Sequence, residues 1–503
     1  MQVGKGRTVF GLSALFLLGA LALPAVEDLP AKAQRAKELM AAGRFAEAVP
    51  VCKELVAAMP GNTGLLLNLG LAQHMAGMEK DSVPTFEAVL KLEPRRLPAL
   101  LSLAAARLAL GQPALAIPSL NRALAIESRN AEARGMLADA LTATGKLDDA
   151  AEQYRKLADQ NPNDPRAWYG LGMAYQTMAS DAFEQLQKIG PESAYVASLI
   201  GDTRVQRHQY RSAFFFYSDA LKKAPELHGV HAAVAEVYRK TGHPDWAAEE
   251  DAKERALPRA ECATRPGECQ FQGGHDLQAT ALPAKGVPPP EALYWRAKAA
   301  NELSLQALIR LGQLPPSVEV HQVRAQIARD QGQHLESAKE WRAALAMNPG
   351  NPGLQYELAS ALFLAGDFRT AIEEAGRALQ RNPRSPEMNF TEGDSWLRLE
   401  EPEKAVPFLQ KALAGDPKML AADASLGLAL SRVGKFAEAV PHLEKARELD
   451  DDGSLHYQLA RAYQASGDAA KAKTAMAAYQ ELLAKDQQRK QEAAAESQIV
   501  APR

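Results

Sequence analysis

An excess of either charge is missing from this chain: 58 lysines and arginines stand against 61 aspartates and glutamates in 503 residues, a formal net charge of −3. Nothing in that balance draws a polyanion, so nucleic acid is not expected as a partner. Long apolar runs are nearly absent too. The exception is TVFGLSALFLLGALAL at residues 8–23, preceded by Lys5 and Arg7. It is too short and too rich in Ala and Gly for a spanning helix and reads as an export signal over 1–25, cleaved after Ala22 or Ala25, with an uncleaved anchor as the alternative. No cysteine lies near that junction, which argues against an acylated amino terminus. The mature chain is expected to be periplasmic or secreted and to carry no membrane span. Catalytic signatures are lacking as well: there is no G-x-x-x-x-G-K-[ST], G-x-S-x-G, H-E-x-x-H or paired C-x-x-C. The nearest thing to a ligand set, His228 and His231 with Glu226, wants a further ligand. No catalytic residue, metal or cofactor is assigned.

What the chain has in abundance is a beat. Gly43, Gly77, Gly111 and Gly145 are each 34 residues apart, and Gly332, Gly366 and Gly434 fall on a second such ladder, with Glu400 on its empty rung and Gly467 one residue early. Such a period signals stacked helix hairpins, none of which buries its apolar face alone. Seven residues before each marker stands a small residue, as in Gly70, Ala104, Gly201, Gly393 and Gly427. Five after it stands another, as in Ala48, Ala116 and Ala213, expected to face the first across the hairpin. Bulk returns four further on at Phe86, Leu120, Tyr154, Tyr217, Trp341, Leu409 and Leu443. The glycine suits a left-handed turn ending the first helix. Pro60, Pro94, Pro162, Pro225, Pro349, Pro383 and Pro417 close the second.

One unit, AWYGLGMAYQTM at 167–178, carries W-x2-L-G-x2-Y as Trp168, Leu171, Gly172 and Tyr175. The chain resembles the tetratricopeptide-repeat family, in an exported bacterial form, over most of residues 29–484. That resemblance implies an all-α, right-handed α-solenoid (superhelix) of about twelve hairpins and a role in protein binding. The set of lysines and asparagines with which some members clamp a terminal carboxylate is not found.

The beat breaks in the middle. Gly145 to Gly332 spans 187 residues, five and a half units. MASDAFEQLQKIGPES, from Met178, runs through an expected turn and predicts one long helix. NELSLQALIRLGQLPPS at 301–317 echoes it, as though a module of long helix plus hairpin were duplicated. Residues 258–290, rich in Pro and Gly, read as a loop or linker between an array at 26–257 and a second array with a capping helix at 291–484, followed by a charged, disordered tail at 485–503. Within the loop, Cys262 and Cys269 are a disulfide candidate in an exported chain. Free thiols, or a metal shared with His275, are the alternatives, and Cys52 sits at a core offset.

By the resemblance, the first helix of each unit lines the concave groove. Positions ten, six, three and two before the marker then supply two candidate surfaces. One is apolar: Leu67, Leu71, Met75, Leu101 and Leu108, suited to an amphipathic helix. The other is aromatic and charged: Tyr356, Phe363, Phe390, Asp394, Arg398, Arg432, Tyr457 and Arg461, the residue types that interface hot spots use. The expected function is a non-catalytic scaffold or adaptor of the cell envelope with a protein or peptide partner. A polymer-binding accessory of polysaccharide or protein export is the alternative, and an enzyme with a non-standard site the weakest reading.

Overall fold

A computed structural model describes residues 29–281, 289–496 and 499–502, the side chains of 489–496 excepted, so the expected signal segment 1–25 lies outside the described residues. Among those residues every regular element is helical. The chain forms two compact units divided between Ala140 and Leu141.

The first unit holds α1 (Leu29–Ala41), α2 (Phe45–Ala58), α3 (Thr63–Met75), α4 (Glu79–Leu92), α5 (Leu97–Ala109), α6 (Pro113–Ile126) and most of α7 (Ala131–Ala143). The second begins with α8 (Leu147–Gln160), α9 (Pro165–Ile189), α10 (Ala194–Gln206), α11 (Tyr210–Lys223), α12 (Val230–Lys240), α13 (Pro244–Ala256), α14 (Pro266–Gln272), α15 (Asp276–Ala279) and α16 (Pro290–Gly312). It continues with α17 (Val318–Asp330), α18 (His334–Met347), α19 (Pro352–Leu364), α20 (Phe368–Arg381), α21 (Pro386–Arg398), α22 (Pro402–Gly415), α23 (Leu420–Arg432), α24 (Phe436–Ala446), α25 (Ser454–Ala465) and α26 (Ala469–Glu496).

Each hairpin turns at its marker. The nine marker glycines, including Gly242, take φ between 68° and 87°. His208 and Glu400, which stand on rungs without glycine, are forced to 57° and 61°. The residue after the marker donates its N–H to the carbonyl five residues back, as from Arg44 to Leu39 (2.9 Å) and from Lys435 to Leu430 (2.8 Å), which satisfies a helix end that water would otherwise have to serve. The prolines act at the other end: α2, α4, α8, α11, α18, α20 and α22 each stop two residues before one.

Close packing follows the small residues, with one correction. The position seven before the marker is closed off by the bulky residue nine after it, not by the small residue five after it. A Cβ on Gly70 would lie 2.5 Å from Phe86, one on Gly393 2.8 Å from Leu409, and one on Gly427 2.7 Å from Leu443. The missing methyl is the space that the opposing side chain fills.

The long helices predicted from the broken beat are α9 and α16, and they pack on each other. The Ser304 hydroxyl donates to the Gly172 carbonyl (2.9 Å), a Cβ on Gly172 would meet Leu308, and Arg310 reaches Pro162 and Asn163. The register is therefore antiparallel, with the end of α9 opposite the start of α16. Together they form one hairpin whose two arms are separated by about a hundred residues of sequence. At the start of α16 the guanidinium of Arg296, almost fully buried, forks onto Asp148 of α8 (3.1 and 2.8 Å). So the linear pile of sequence-adjacent hairpins gives way here to a closure with a branch. The branch, α10 to α15, shares a core with both long helices: Leu186 of α9, Tyr217, Val234 and Tyr238 of the branch, and Tyr294 and Trp295 of α16 lie in one cluster.

The segment 258–290 is not all loop, since it contains α14 and α15, and Cys262 and Cys269 are joined by a disulfide with Cα atoms 5.1 Å apart. Cys52 is a buried thiol whose pKa burial pushes up. At the carboxyl end, helix continues past 485 to Glu496. Beyond it Ile499 packs against the branch core, and the Tyr238 hydroxyl donates to the Val500 carbonyl (2.7 Å).

Candidate functional site

First helices of successive hairpins, α19, α21, α23 and α25, touch one another more closely than any second helices do, and so make up an inner layer. Their starts are fixed locally. Asn351 accepts the Gly353 N–H (2.9 Å) and Ser385 accepts the Met388 N–H (3.3 Å), each just before a proline at the first helical position.

On this layer Phe363 of α19 and Phe390 of α21 are half-buried, with ring centroids 6.3 Å apart at 60°. Tyr356 is half-buried against the core around Ala359 and Met388. Asp394 is not a surface acid: it is 3% exposed and accepts the Ser425 hydroxyl (2.6 Å) and Arg398 Nε (3.2 Å), tying α21 to α23. The contact anchors Arg398 at Nε while its side chain stays 61% exposed. Arg432 donates to the Leu397 carbonyl (3.3 Å), which sets it beside the same turn. Arg461 of α25 is exposed. Tyr457 is exposed, with its ring centroid 5.4 Å from that of Tyr479 in the capping helix α26. The arrangement is an aromatic pair followed by three arginines with donors to spare.

Of the five apolar residues expected to form a surface in the first unit, one lies in the core and three are partly covered. Leu67 is buried beside Phe86, Leu71 and Leu101 pack half-buried on the same cluster, and Leu108 is half-buried. Met75, at the end of α3, is the one of the five that is largely exposed.

His228 and His231 are parted by their partners. His228 lies 2.6 Å from Glu268 of α14 and His231 lies 2.5 Å from Glu250 of α13. Burial pushes the Glu250 carboxyl up, but His231 and Lys253 outweigh it and hold the carboxyl below its ordinary value. Among the described residues no three His, Cys, Asp or Glu side chains are placed to hold a metal ion. The His231 pair is one of a series that sequence reading passed over. His321 to Glu340 (2.6 Å), Gln355 to Glu374 and Asp423 to His442 (2.8 Å) all join residues 19 apart, eleven before and eight after a marker. The signal was on the 34-residue ruler, at an offset where the residue type changes from unit to unit.

A family profile described as tetratricopeptide repeat matches residues 39–107, 107–173 and 328–389, and a second of the same description matches 365–419. The matches stop at 173 and resume at 328, on either side of the branch. No curated protein matches the chain. Similar solved structures include MamA (41-end) from Desulfovibrio magneticus RS-1, 20% identical with a TM-score of 0.31, covering 34% of this chain and 96% of that one. Another is TTC0263, a thermophilic repeat protein of Thermus thermophilus, 20% identical with a TM-score of 0.28, covering 36% and 98%.

Proposed function

The chain is a tetratricopeptide-repeat protein, and from that premise we propose that it is a non-catalytic adaptor whose inner layer over residues 352–465 grips an acidic segment of a protein partner. One observation carries this reading: the Phe363–Phe390 pair leads into Arg398, Arg432 and Arg461, whose guanidinium groups keep unused donors at the surface. Aromatic rings offer rigid apolar area, and arginine forks match carboxylates in two-point contacts. Asp394 supports the arrangement from within, since its bond to Ser425 locks the two hairpins in register.

The working place of the adaptor is the envelope or the exterior. Lys5, Arg7 and the apolar run 8–23 support export, and so does a disulfide, which persists where thiols are oxidised. No helix among the described residues is long and apolar enough to cross a membrane.

Affinity capture from envelope extracts with wild-type and Arg398→Glu/Arg432→Glu baits tests the surface. The expected result is loss of the specific partner by the charge-reversed bait and its retention by Met75→Ala. Equal recovery by all three removes the inner layer of 352–465 from consideration. The intact mass of the exported chain tests the address, with a mature start after Ala22 or Ala25 expected.

A further inference from the structure

After Leu483 the sequence carries no apolar side chain larger than alanine until Ile499, which opens the segment IVAP at 499–502. This segment belongs to no helix or strand, yet it is seated on the protein. Ile499 is half-buried against the branch core, and the Val500 carbonyl accepts the Tyr238 hydroxyl (2.7 Å) while the Val500 side chain stays exposed. Pro502 is half-buried as well. The contact joins residues 262 apart in sequence.

The receiving face is aromatic. Tyr238 of α12 is 2% exposed, with the rings of Phe214 in α11 and Trp246 in α13 each 5.5 Å away, and His243 stacks on Trp246 at 4.0 Å. Its hydroxyl is where this face departs from the repeat. Tyr463 holds the same position, four before its marker, and donates to Glu444, 19 residues earlier. The residue 19 before Tyr238 is Asp219, which is paired with Lys223 (2.7 Å), and Tyr238 turns to Val500. Burial, then the charges of Glu250 and Glu249, push the Tyr238 hydroxyl up to about 12, so it remains a donor at neutral pH. A buried phenol needs an acceptor, and the one it has here is a main-chain carbonyl, a group that every peptide carries. The face therefore reads one branched apolar side chain and the carbonyl of the residue after it.

We propose that the branch face around Tyr238 is a docking site for a short apolar segment of a protein partner, and that residues 499–502 fill it in cis until such a segment displaces them. One half-buried side chain and one hydrogen bond hold a free peptide weakly, but attachment two residues past the end of α26 keeps Ile499 at an effective concentration on the order of millimolar. The site is separate from the inner layer of α19 to α25 and stands without it.

Fluorine NMR of the full chain labelled with 5-fluorotryptophan tests this, with the Trp246 resonance assigned by its loss in Trp246→Phe. Ile499→Asp should move that resonance by releasing the segment, and Ile499→Val should leave it in place. Added to the Ile499→Asp chain, the peptide acetyl-SQIVAP-amide should return the resonance saturably toward its wild-type position, while acetyl-SQDVAP-amide should not. Wild type should require at least roughly tenfold more peptide for the same occupancy, because the resident segment competes. Tyr238→Phe in the Ile499→Asp chain should weaken the peptide about fivefold through loss of one hydrogen bond. Arg398→Glu/Arg432→Glu should leave the resonance and the peptide affinity unchanged, which separates failure here from failure of the adaptor surface. Circular dichroism verifies that each variant is folded. A site closed in cis at a millimolar effective concentration is filled to a comparable degree by free peptide at that concentration. A resonance indifferent to Ile499→Asp, no response of that variant to the peptide, or equal titration of wild type and variant therefore overturns the proposal. So does a wild-type resonance that moves to the Ile499→Asp position on dilution, since the segment would then come from a second copy of the chain.

Discussion

Glu400 occupies a position that glycine holds on the neighbouring rungs, with φ at 61°. A side chain in the left-handed region costs about 1 kcal/mol, against which glycine's greater freedom in the unfolded chain must be set. Glu400→Gly should therefore stabilise the α21–α22 hairpin by roughly 0.5 kcal/mol, read as a higher urea midpoint and slower amide exchange in those helices. The converse case is Gly427. A methyl there would sit 2.7 Å from Leu443 Cδ2 and 3.2 Å from its backbone nitrogen. Gly427→Ala should cost about 1–3 kcal/mol as overpacking, and Leu443→Ala in the same chain should recover part of the loss, a coupling that a double-mutant cycle measures. Both positions were legible as residue types on a fixed period. Which residue fills the gap opposite the small one was not, because offsets of five and nine are both regular in sequence and only the crossing of the two helices chooses between them.

At the scale of elements, the branch is fastened to α16 by a polar knot. Lys298 donates to Asp202 (2.9 Å), Tyr217 donates to the other oxygen of Asp202 (2.9 Å), and Ser198 pairs with Tyr294 (3.1 Å). Burial works against the Lys298 charge, but Asp202 outweighs it and holds the ammonium charged, while burial drives the Tyr294 hydroxyl up to about 12. Asp202→Asn should leave the lysine unanswered and cost about 2–3 kcal/mol, below the range for fully enclosed pairs since both side chains keep about a fifth of their exposure. Faster amide exchange confined to α10–α13 and α16 is the expected sign. Glu250 gives a pH counterpart. Its carboxyl is depressed in the folded chain, so the rung it forms with His231 contributes fully above the ordinary value of 4.5 and is lost as the pH falls below it. Glu250→Gln should flatten the acid side of the stability profile in the α12–α13 hairpin. If its acid limb matches wild type, the rung contributes nothing.

At the scale of the whole molecule, the pairing of α9 with α16 makes two segments far apart in sequence a single hairpin. Gly172→Val, which presses a branched side chain onto Leu308, should speed exchange in α9 and α16 together and leave residues 29–126 as they were. Exchange that rises in α9 alone would show the two helices to be independent.

The 34-residue period, the helix stops and the two long helices were all determined by sequence, because each rests on local chemistry: a glycine that tolerates positive φ, a proline that ends a helix, an apolar run without a turn. Contacts across the chain were decided only by the tertiary structure. Helices α9 and α16 find each other because Gly172 and Ser304 allow close approach, and nothing local in either segment marks the other as its mate. Asp394, readable as a groove acid, becomes an internal tie once α23 brings Ser425 against it. The period of a repeat is written residue by residue, while burial depends on which distant segment arrives.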